Sequence, residues 1–159
     1  ASRNGDGRAG GSSSQSAAAA PAKESATPAI DEAEALGTIG GDPRILHRLL
    51  LKFRERAAPT LESIEGALDR GELVVLRREA HSLKGSSGYV AAAGLRAAAI
   101  ALQAAADSAL RGEAPPRPLD ALVAEVKGEM HRVVDAIDAI VARQQPAAAG
   151  SPAATVATD

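Results

Sequence analysis

One short stretch of the chain combines residue types that can take part in group transfer. It reads His81-Ser82-Leu83-Lys84-Gly85-Ser86-Ser87-Gly88. A neutral imidazole is a good nucleophile near pH 7, because its unperturbed pKa is about 6.5. A phosphoryl group on His81 would be a dianion, and Lys84, one helical turn further on, can supply a compensating charge. The stretch therefore predicts a histidine that accepts a phosphoryl group.

Helical periodicity predicts that this histidine is exposed. With about 100° per residue and Leu76 as the reference, a core stripe forms within about 60° of Leu76. Its other members are Leu73, Ala80, Leu83 and Ser87. His81 lies about 140° from Leu76, outside the stripe. On the same flank lie Arg77, Lys84, Gly85 and Gly88. We expect the imidazole to face solvent or a partner protein, with Arg77 adding to the local positive field.

The neighbouring small residues have separate interpretations. Gly85 and Gly88 each cost about 1 kcal/mol of helix stability relative to alanine, which suggests that the cleared space lets another protein approach. Ser86 and Ser87 are expected to make local capping or packing contacts. His47 and His131 lack a Lys-Gly sequence after them, and we expect both to be surface or edge residues that are not phosphorylated.

Four amphipathic segments predict an all-α fold, an antiparallel four-helix bundle. The first begins at Asp42 and Pro43, an N-cap followed by a proline at the first helical position, and ends at Gly71. The other three carry apolar residues at three- and four-residue steps over 73–87, 95–110 and 119–141. A short extra N-terminal helix is compatible with residues 31–39. No segment alternates as a strand would.

Composition excludes several functional classes. The chain has no cysteine, so disulfides and thiol nucleophiles are absent. Lys and Arg number 18 against 20 Asp and Glu, which leaves no basic excess for nucleic-acid binding. No apolar run is long enough to cross a membrane, and we expect no direct membrane contact. No Gly-rich nucleotide-binding loop is present, so we expect no ATP site and no self-phosphorylation; enzyme status stays open.

Low-complexity sequence flanks the amphipathic segments. Residues 1–29 are rich in Gly, Ser, Ala and Pro and lack large apolar residues, which predicts a flexible linker. Residues 145–159 are similar and are predicted to form a disordered tail. The folded domain is expected to span residues 30–144.

The sequence His81-Ser82-Leu83-Lys84-Gly85-Ser86-Ser87 resembles the H-x-L-K-G-S-S core of histidine phosphotransfer (HPt) domains. The resemblance extends upstream to Leu36-x-x-Ile39-Gly40-Gly41-Asp42-Pro43 and the helix of Phe53, and downstream to the helix of Leu95. It covers about residues 30–144. The chain departs from the family pattern at Ala91, since many members have glycine in this turn.

The resemblance implies a role for each residue of the motif. His81 would carry the phosphoryl group between receiver-domain aspartates, Lys84 would stabilise the phosphate, and Gly85 would give clearance for docking. The expected partner-binding residues are Arg77, Gly88, Tyr89, Leu36 and Ile39, with Leu46 as a further candidate. The domain would need no cofactor of its own, and Mg²⁺ is expected on the partner receiver domain.

Several arrangements of such a domain are consistent with the sequence. We expect the C-terminal module of a bacterial hybrid (unorthodox) sensor histidine kinase, in the cytoplasm, with tethering to a membrane-bound kinase as one arrangement. Its partners would be the receiver domain of the parent kinase and a cognate response regulator. A free-standing shuttle is the other arrangement, and a place at the N-terminus of a chemotaxis-type kinase is disfavoured. The alternative function is a non-catalytic helical interaction module with a degenerate phosphotransfer site.

Overall fold

The computed structural model describes residues 27–144 and contains five helices. They are α1 (Glu32–Thr38), α2 (Pro43–Arg70), α3 (Leu73–Tyr89), α4 (Ala93–Leu110) and α5 (Leu119–Gln144). No strand occurs in this part of the chain. The all-α prediction is confirmed, as is the short additional helix. Residues 1–26 of the linker predicted for residues 1–29 lie outside the described residues. The tail predicted for 145–159 also lies outside them.

The ends of α2 are where the local sequence predicts them. The Asp42 carboxylate accepts a hydrogen bond from the backbone N–H of Arg44 at 2.8 Å, and Pro43 occupies the first helical position. Gly71 ends the helix in the left-handed conformation, with φ of 68°, which glycine adopts without a Cβ penalty. The helix continues through Pro59.

The four long helices pack in a closed cycle. Helix α3 lies against α2 and α4, while α5 completes the cycle against α4 and α2. Short connections make sequential neighbours antiparallel. Helix α1 packs on α2. One continuous core fills the centre, and its largest fully buried side chains include Leu50, Ile64, Leu76, Leu95, Leu102, Leu122, Met130 and Ile137.

One residue of the predicted apolar stripes lies outside the core. Leu110 is 43% exposed. It is the last residue of α4 and is followed by the connection that leads to α5 at Leu119. Leu110 fits the three- and four-residue apolar repeat of α4, but at the end of this helix no neighbouring element covers its side chain.

The turn between α3 and α4 is built around Ala91. Its φ is 53°, and it is the one non-glycine residue with positive φ between residues 27 and 144. The Ala91 N–H donates to the Gly88 carbonyl at 3.1 Å, and the Ala91 carbonyl accepts from the Asp31 N–H at 3.0 Å. The left-handed conformation gives a physical reason for glycine at this position. The same turn holds the start of α1.

Candidate functional site

The inner side of α3 is the predicted core stripe. Leu76, Ala80, Leu83 and Ser87 are at most 3% exposed, whereas Leu73, at the start of α3, is half-buried and packs against the core. The Ser87 hydroxyl donates to the Leu83 carbonyl at 2.7 Å, which satisfies this buried polar group. His81 is exposed on the outer side of the helix. Its predicted exposure is confirmed, and its imidazole is accessible to a partner.

Lys84 follows His81 by one helical turn and is half-buried. Its ammonium group forms no ion pair with any residue between 27 and 144. Residues three apart on a helix are neighbours on its surface. Lys84 is therefore placed to neutralise an anionic group that forms on His81.

The two glycines of the motif have different surroundings. A Cβ placed on Gly85 would meet no atom within 4 Å. A Cβ on Gly88 would lie 3.5 Å from Nε of Arg96, which is ordinary van der Waals contact. The packing of the bundle itself therefore does not require glycine at position 85. The docking role predicted for Gly85 stays a prediction.

Arg77 points across the interface between α3 and α4. Its Nε donates a hydrogen bond to Oδ1 of Asp107, and the two side chains form an ion pair. Both side chains stay partly exposed, at 48% and 33%. Periodicity places each residue on an outer flank of its helix and does not predict that they face each other. Asp107 therefore compensates the charge of Arg77, which was predicted to add to the positive field of the site.

Two contacts define the register of α3 against α4. Arg77 faces Asp107 and Gly88 faces Arg96, and eleven residues separate these contacts along each helix. One turn from Arg77 along α3 is His81, and one turn from Asp107 in the opposite direction along α4 is Gln103. This register puts the half-buried Gln103 of α4 at the level of His81. The sequence does not predict this alignment, because it follows from the pairing of the two helices.

The predicted apolar contact residues differ in how far their side chains are exposed. Tyr89 is 60% exposed at the end of α3. Leu36 and Ile39 are half-buried and pack against the core. The prediction for Leu46 is wrong, because this side chain is 3% exposed and belongs to the core. It lies on the inner face of α2, where no partner can reach it.

The other two histidines lie on different helices. His47 on α2 is half-buried, and its Nδ1 is 2.7 Å from Oε1 of Gln144. His131 is exposed on α5. In residues 27–144, no group of three or more His, Cys, Asp or Glu side chains is arranged to hold a metal ion.

A cleft of about 310 Å³ lies between α2 and α3 beside the motif. Its apolar surfaces come from Phe53, Leu83, Val90 and Met130, among others. Ser82, Ser86 and Tyr89 line it from α3, and Lys52 and Arg56 line it from α2. We call this feature the α2–α3 cleft. Sequence reasoning did not identify it, because a cleft depends on how two helices are spaced.

Comparison with known families assigns the fold. The family described as "Hpt domain" matches residues 48–142, more than half of the chain. The chain belongs to the HPt domain family. HPt domains transfer phosphoryl groups through a histidine in phosphorelays, where they interact with receiver domains and response regulators. This chain is accordingly a histidine phosphotransfer domain of a phosphorelay.

Two solved structures are similar to this HPt domain. One is the HPt domain of a sensor hybrid histidine kinase from Shewanella, at 18% identity and a TM-score of 0.62, covering 72% of this chain and 95% of that one. The other is histidine-containing phosphotransfer protein B (HptB) from Pseudomonas aeruginosa PAO1, at 24% identity and a TM-score of 0.62. That alignment covers 76% of this chain and all of HptB. A search of curated proteins found no match. No helix in the described part of this HPt domain is long and apolar enough to cross a bilayer.

Proposed function

We propose that His81 is the residue of this HPt domain that carries the phosphoryl group. The observation that carries the proposal is the position of His81, exposed on α3 beside a Lys84 without an ion pair in residues 27–144 and an open space at Gly85. His47 and His131 have no comparable setting. The phosphoryl site is thus a small outer surface on a helix whose inner side is core.

The transfer step is an exchange of one bond to phosphorus for another. The unprotonated imidazole nitrogen of His81 attacks the phosphorus of an aspartyl phosphate. The new N–P bond forms while the acyl P–O bond breaks, and the aspartate leaves as a carboxylate. The imidazole then loses the proton from its other nitrogen. Lys84 stabilises the transferred dianion, and the same groups serve when the phosphoryl group leaves for a second aspartate.

We propose that the partner supplies the metal ion for the transfer. We place Mg²⁺ and its carboxylate ligands in the receiver domain, next to the aspartate that gives or takes the phosphoryl group. Gly85 gives the receiver backbone room to approach the imidazole. The partners we propose are the receiver of a parent hybrid kinase and a response regulator, both in the cytoplasm.

The test is phosphoryl transfer from a phosphorylated receiver domain with Mg²⁺ to the full chain and to its His81→Gln variant. We expect an acid-labile, base-stable label on the wild type and none on His81→Gln, which should keep its fold because position 81 is outside the core. The matched controls are His47→Gln and His131→Gln, both expected to be labelled like the wild type.

Two other results would overturn the proposal. Label on His81→Gln that disappears in His47→Gln or His131→Gln would assign the phosphoryl site to one of those residues. In the second result, several donors label neither the wild type nor any variant, and the His81→Gln change leaves partner binding intact. The domain then acts as a non-catalytic interaction module.

A further inference from the structure

A row of basic residues runs along the exposed side of α2. Arg44, Arg48, Lys52 and Arg56 follow each other at four-residue intervals, and all four are exposed. Residues at this spacing form a ridge on the helix surface. Arg44 contacts its own N-cap, with Nε 3.4 Å from Oδ1 of Asp42. We call the remaining three, Arg48, Lys52 and Arg56, the basic ridge.

The basic ridge is free of acidic partners within residues 27–144. Five Lys and Arg side chains form no ion pair there: Arg48, Lys52, Arg56, Lys84 and Arg96. Lys84 is one turn from His81, and Arg96 lies against Gly88. Lys52 and Arg56 line the α2–α3 cleft, whereas Arg48 continues the ridge toward the start of α2. These cations stand without ion pairs although the whole chain has a net charge of −2.

The α2–α3 cleft connects the basic ridge to the helix of His81. Lys52 and Arg56 form part of its α2 wall, and Ser82, the residue after His81, forms part of its α3 wall. Glu79 also lines the cleft, and it is paired with Arg78 at 3.5 Å. Because Ser82 follows His81 directly, a partner seated over His81 with a typical footprint of about 800 Å² would reach the cleft and its Lys52 and Arg56 wall.

We propose that the basic ridge and the α2–α3 cleft select and steer the receiver domain, by pairing with acidic side chains that flank an apolar side chain inserted in the cleft. This inference rests on the proposed role of His81. The receiver aspartate lies among acidic Mg²⁺ ligands, so the face that must approach His81 is negative because of its own chemistry. A positive ridge at the edge of the site attracts and orients that face before contact.

The observations favour a receiver over other polyanions. The floor of the cleft is apolar, with Phe53, Leu83 and Met130 among its residues, which suits a protein side chain better than a phosphate backbone. Tyr89 is the exposed aromatic side chain at the cleft, so no platform for stacking several bases is present there. Lys52 and Arg56 of the ridge also share the cleft with Ser82, the residue after His81.

The experiment measures the transfer rate from a phosphorylated receiver between about 0.01 and 1 M salt, over which the screening length falls from about 30 Å to about 3 Å. The variant is the triple change Arg48→Gln, Lys52→Gln and Arg56→Gln in the full chain. We expect kcat/KM to fall about tenfold at low salt and its salt dependence to flatten. The matched control is Arg111→Gln, Arg117→Gln and Lys127→Gln, which removes the same charge around the connection from α4 to α5 and on α5.

Labelling with the small donor phosphoramidate separates docking from chemistry, because it needs no receiver. The triple ridge variant should be labelled at the wild-type rate. A ridge variant that transfers like the wild type at every salt concentration overturns this inference alone, as does an equal loss in the control. If the ridge variant instead loses binding to duplex DNA or to phosphatidylglycerol vesicles while transfer is unchanged, the ridge serves another partner. Failure of every receiver to label the wild type, with partner binding intact in His81→Gln, overturns the role of His81 as well.

Discussion

At the level of single residues, Gly85 is a position where a substitution is expected to change stability and phosphoryl transfer in opposite directions. A Cβ at this position meets nothing within 4 Å, and alanine is favoured over glycine in a helix by about 1 kcal/mol. We expect Gly85→Ala to raise the free energy of unfolding by about that amount. The added methyl group should obstruct the docked receiver and lower kcat/KM about tenfold or more. Denaturant unfolding and receiver-dependent transfer measure the two effects.

Gly128 on α5 provides the matched control for Gly85. It is exposed, and a Cβ there also meets nothing within 4 Å. Gly128→Ala should stabilise the domain to a similar degree and leave transfer unchanged. Equal transfer by both alanine variants would show that position 85 does not provide clearance for docking.

Asp107 is expected to influence the equilibrium of phosphoryl transfer between the receiver domain and the HPt domain. It holds Arg77 in an ion pair one turn from His81, so its removal frees a cation for the phosphohistidine and deletes a nearby negative charge. Exposed pairs at this spacing contribute about 0.3–0.5 kcal/mol each. The two effects together amount to about 0.6–1 kcal/mol, so we expect Asp107→Asn to move the transfer equilibrium about three- to fivefold toward the phosphorylated HPt domain. The ratio of label on the two proteins at equilibrium measures this shift.

Two further variants check the role of Asp107. Arg77→Gln should move the equilibrium in the opposite direction, because it leaves the Asp107 carboxylate uncompensated beside the phosphoryl group. Asp138→Asn removes the partner of Arg54 in an ion pair of 2.5 Å between α2 and α5. It should leave the equilibrium unchanged. A shift of similar size in Asp138→Asn would indicate an effect of net charge rather than of Arg77.

At the level of helices and their connections, the positive φ of Ala91 limits which residue types the α3–α4 turn accepts at this position. In Ala91→Gly, relief of the left-handed conformation contributes about 1–2 kcal/mol. It is offset by a lost buried methyl group, about 0.8 kcal/mol, and by greater freedom of the unfolded chain, about 0.4–1 kcal/mol. We expect the unfolding free energy to change by less than about 1 kcal/mol in denaturant titrations.

Ala91→Val provides the contrasting variant. A buried β-branched residue at φ of 53° is strained and crowded, and we expect a loss of about 2 kcal/mol or more in the same measurement. If valine were tolerated as well as glycine, the turn in solution would not have a positive φ at this residue.

Helix ends could be predicted from the sequence because they depend on local chemistry. Asp42 and Gly71 act through hydrogen bonds and backbone angles within a few residues of themselves. The inner side of α3 was also predictable from its period. Contacts between helices were not, because periodicity shows which side of a helix is buried and not which residue of a neighbour lies opposite. The Arg77–Asp107 pair and the position of Gln103 depend on that register.

At the level of the whole molecule, the α2–α3 cleft is the feature that the sequence could not predict. It arises from the spacing of two helices and from the side chains at its floor, which are properties of the assembled bundle that a single segment does not contain. The burial of Leu46 is a different case, because its place in the three- and four-residue apolar repeat of α2 already indicates the inner side of that helix.

The division of α3 into an inner core stripe and an outer site has a consequence for how phosphorelays diversify. After a gene is duplicated, the outer surfaces of α2 and α3 can change without touching the residues that hold the bundle together. Changes in the basic ridge would then direct one copy to a different receiver while both copies keep the same histidine chemistry. The routing of a signal and the stability of the protein that carries it can therefore evolve separately on this scaffold.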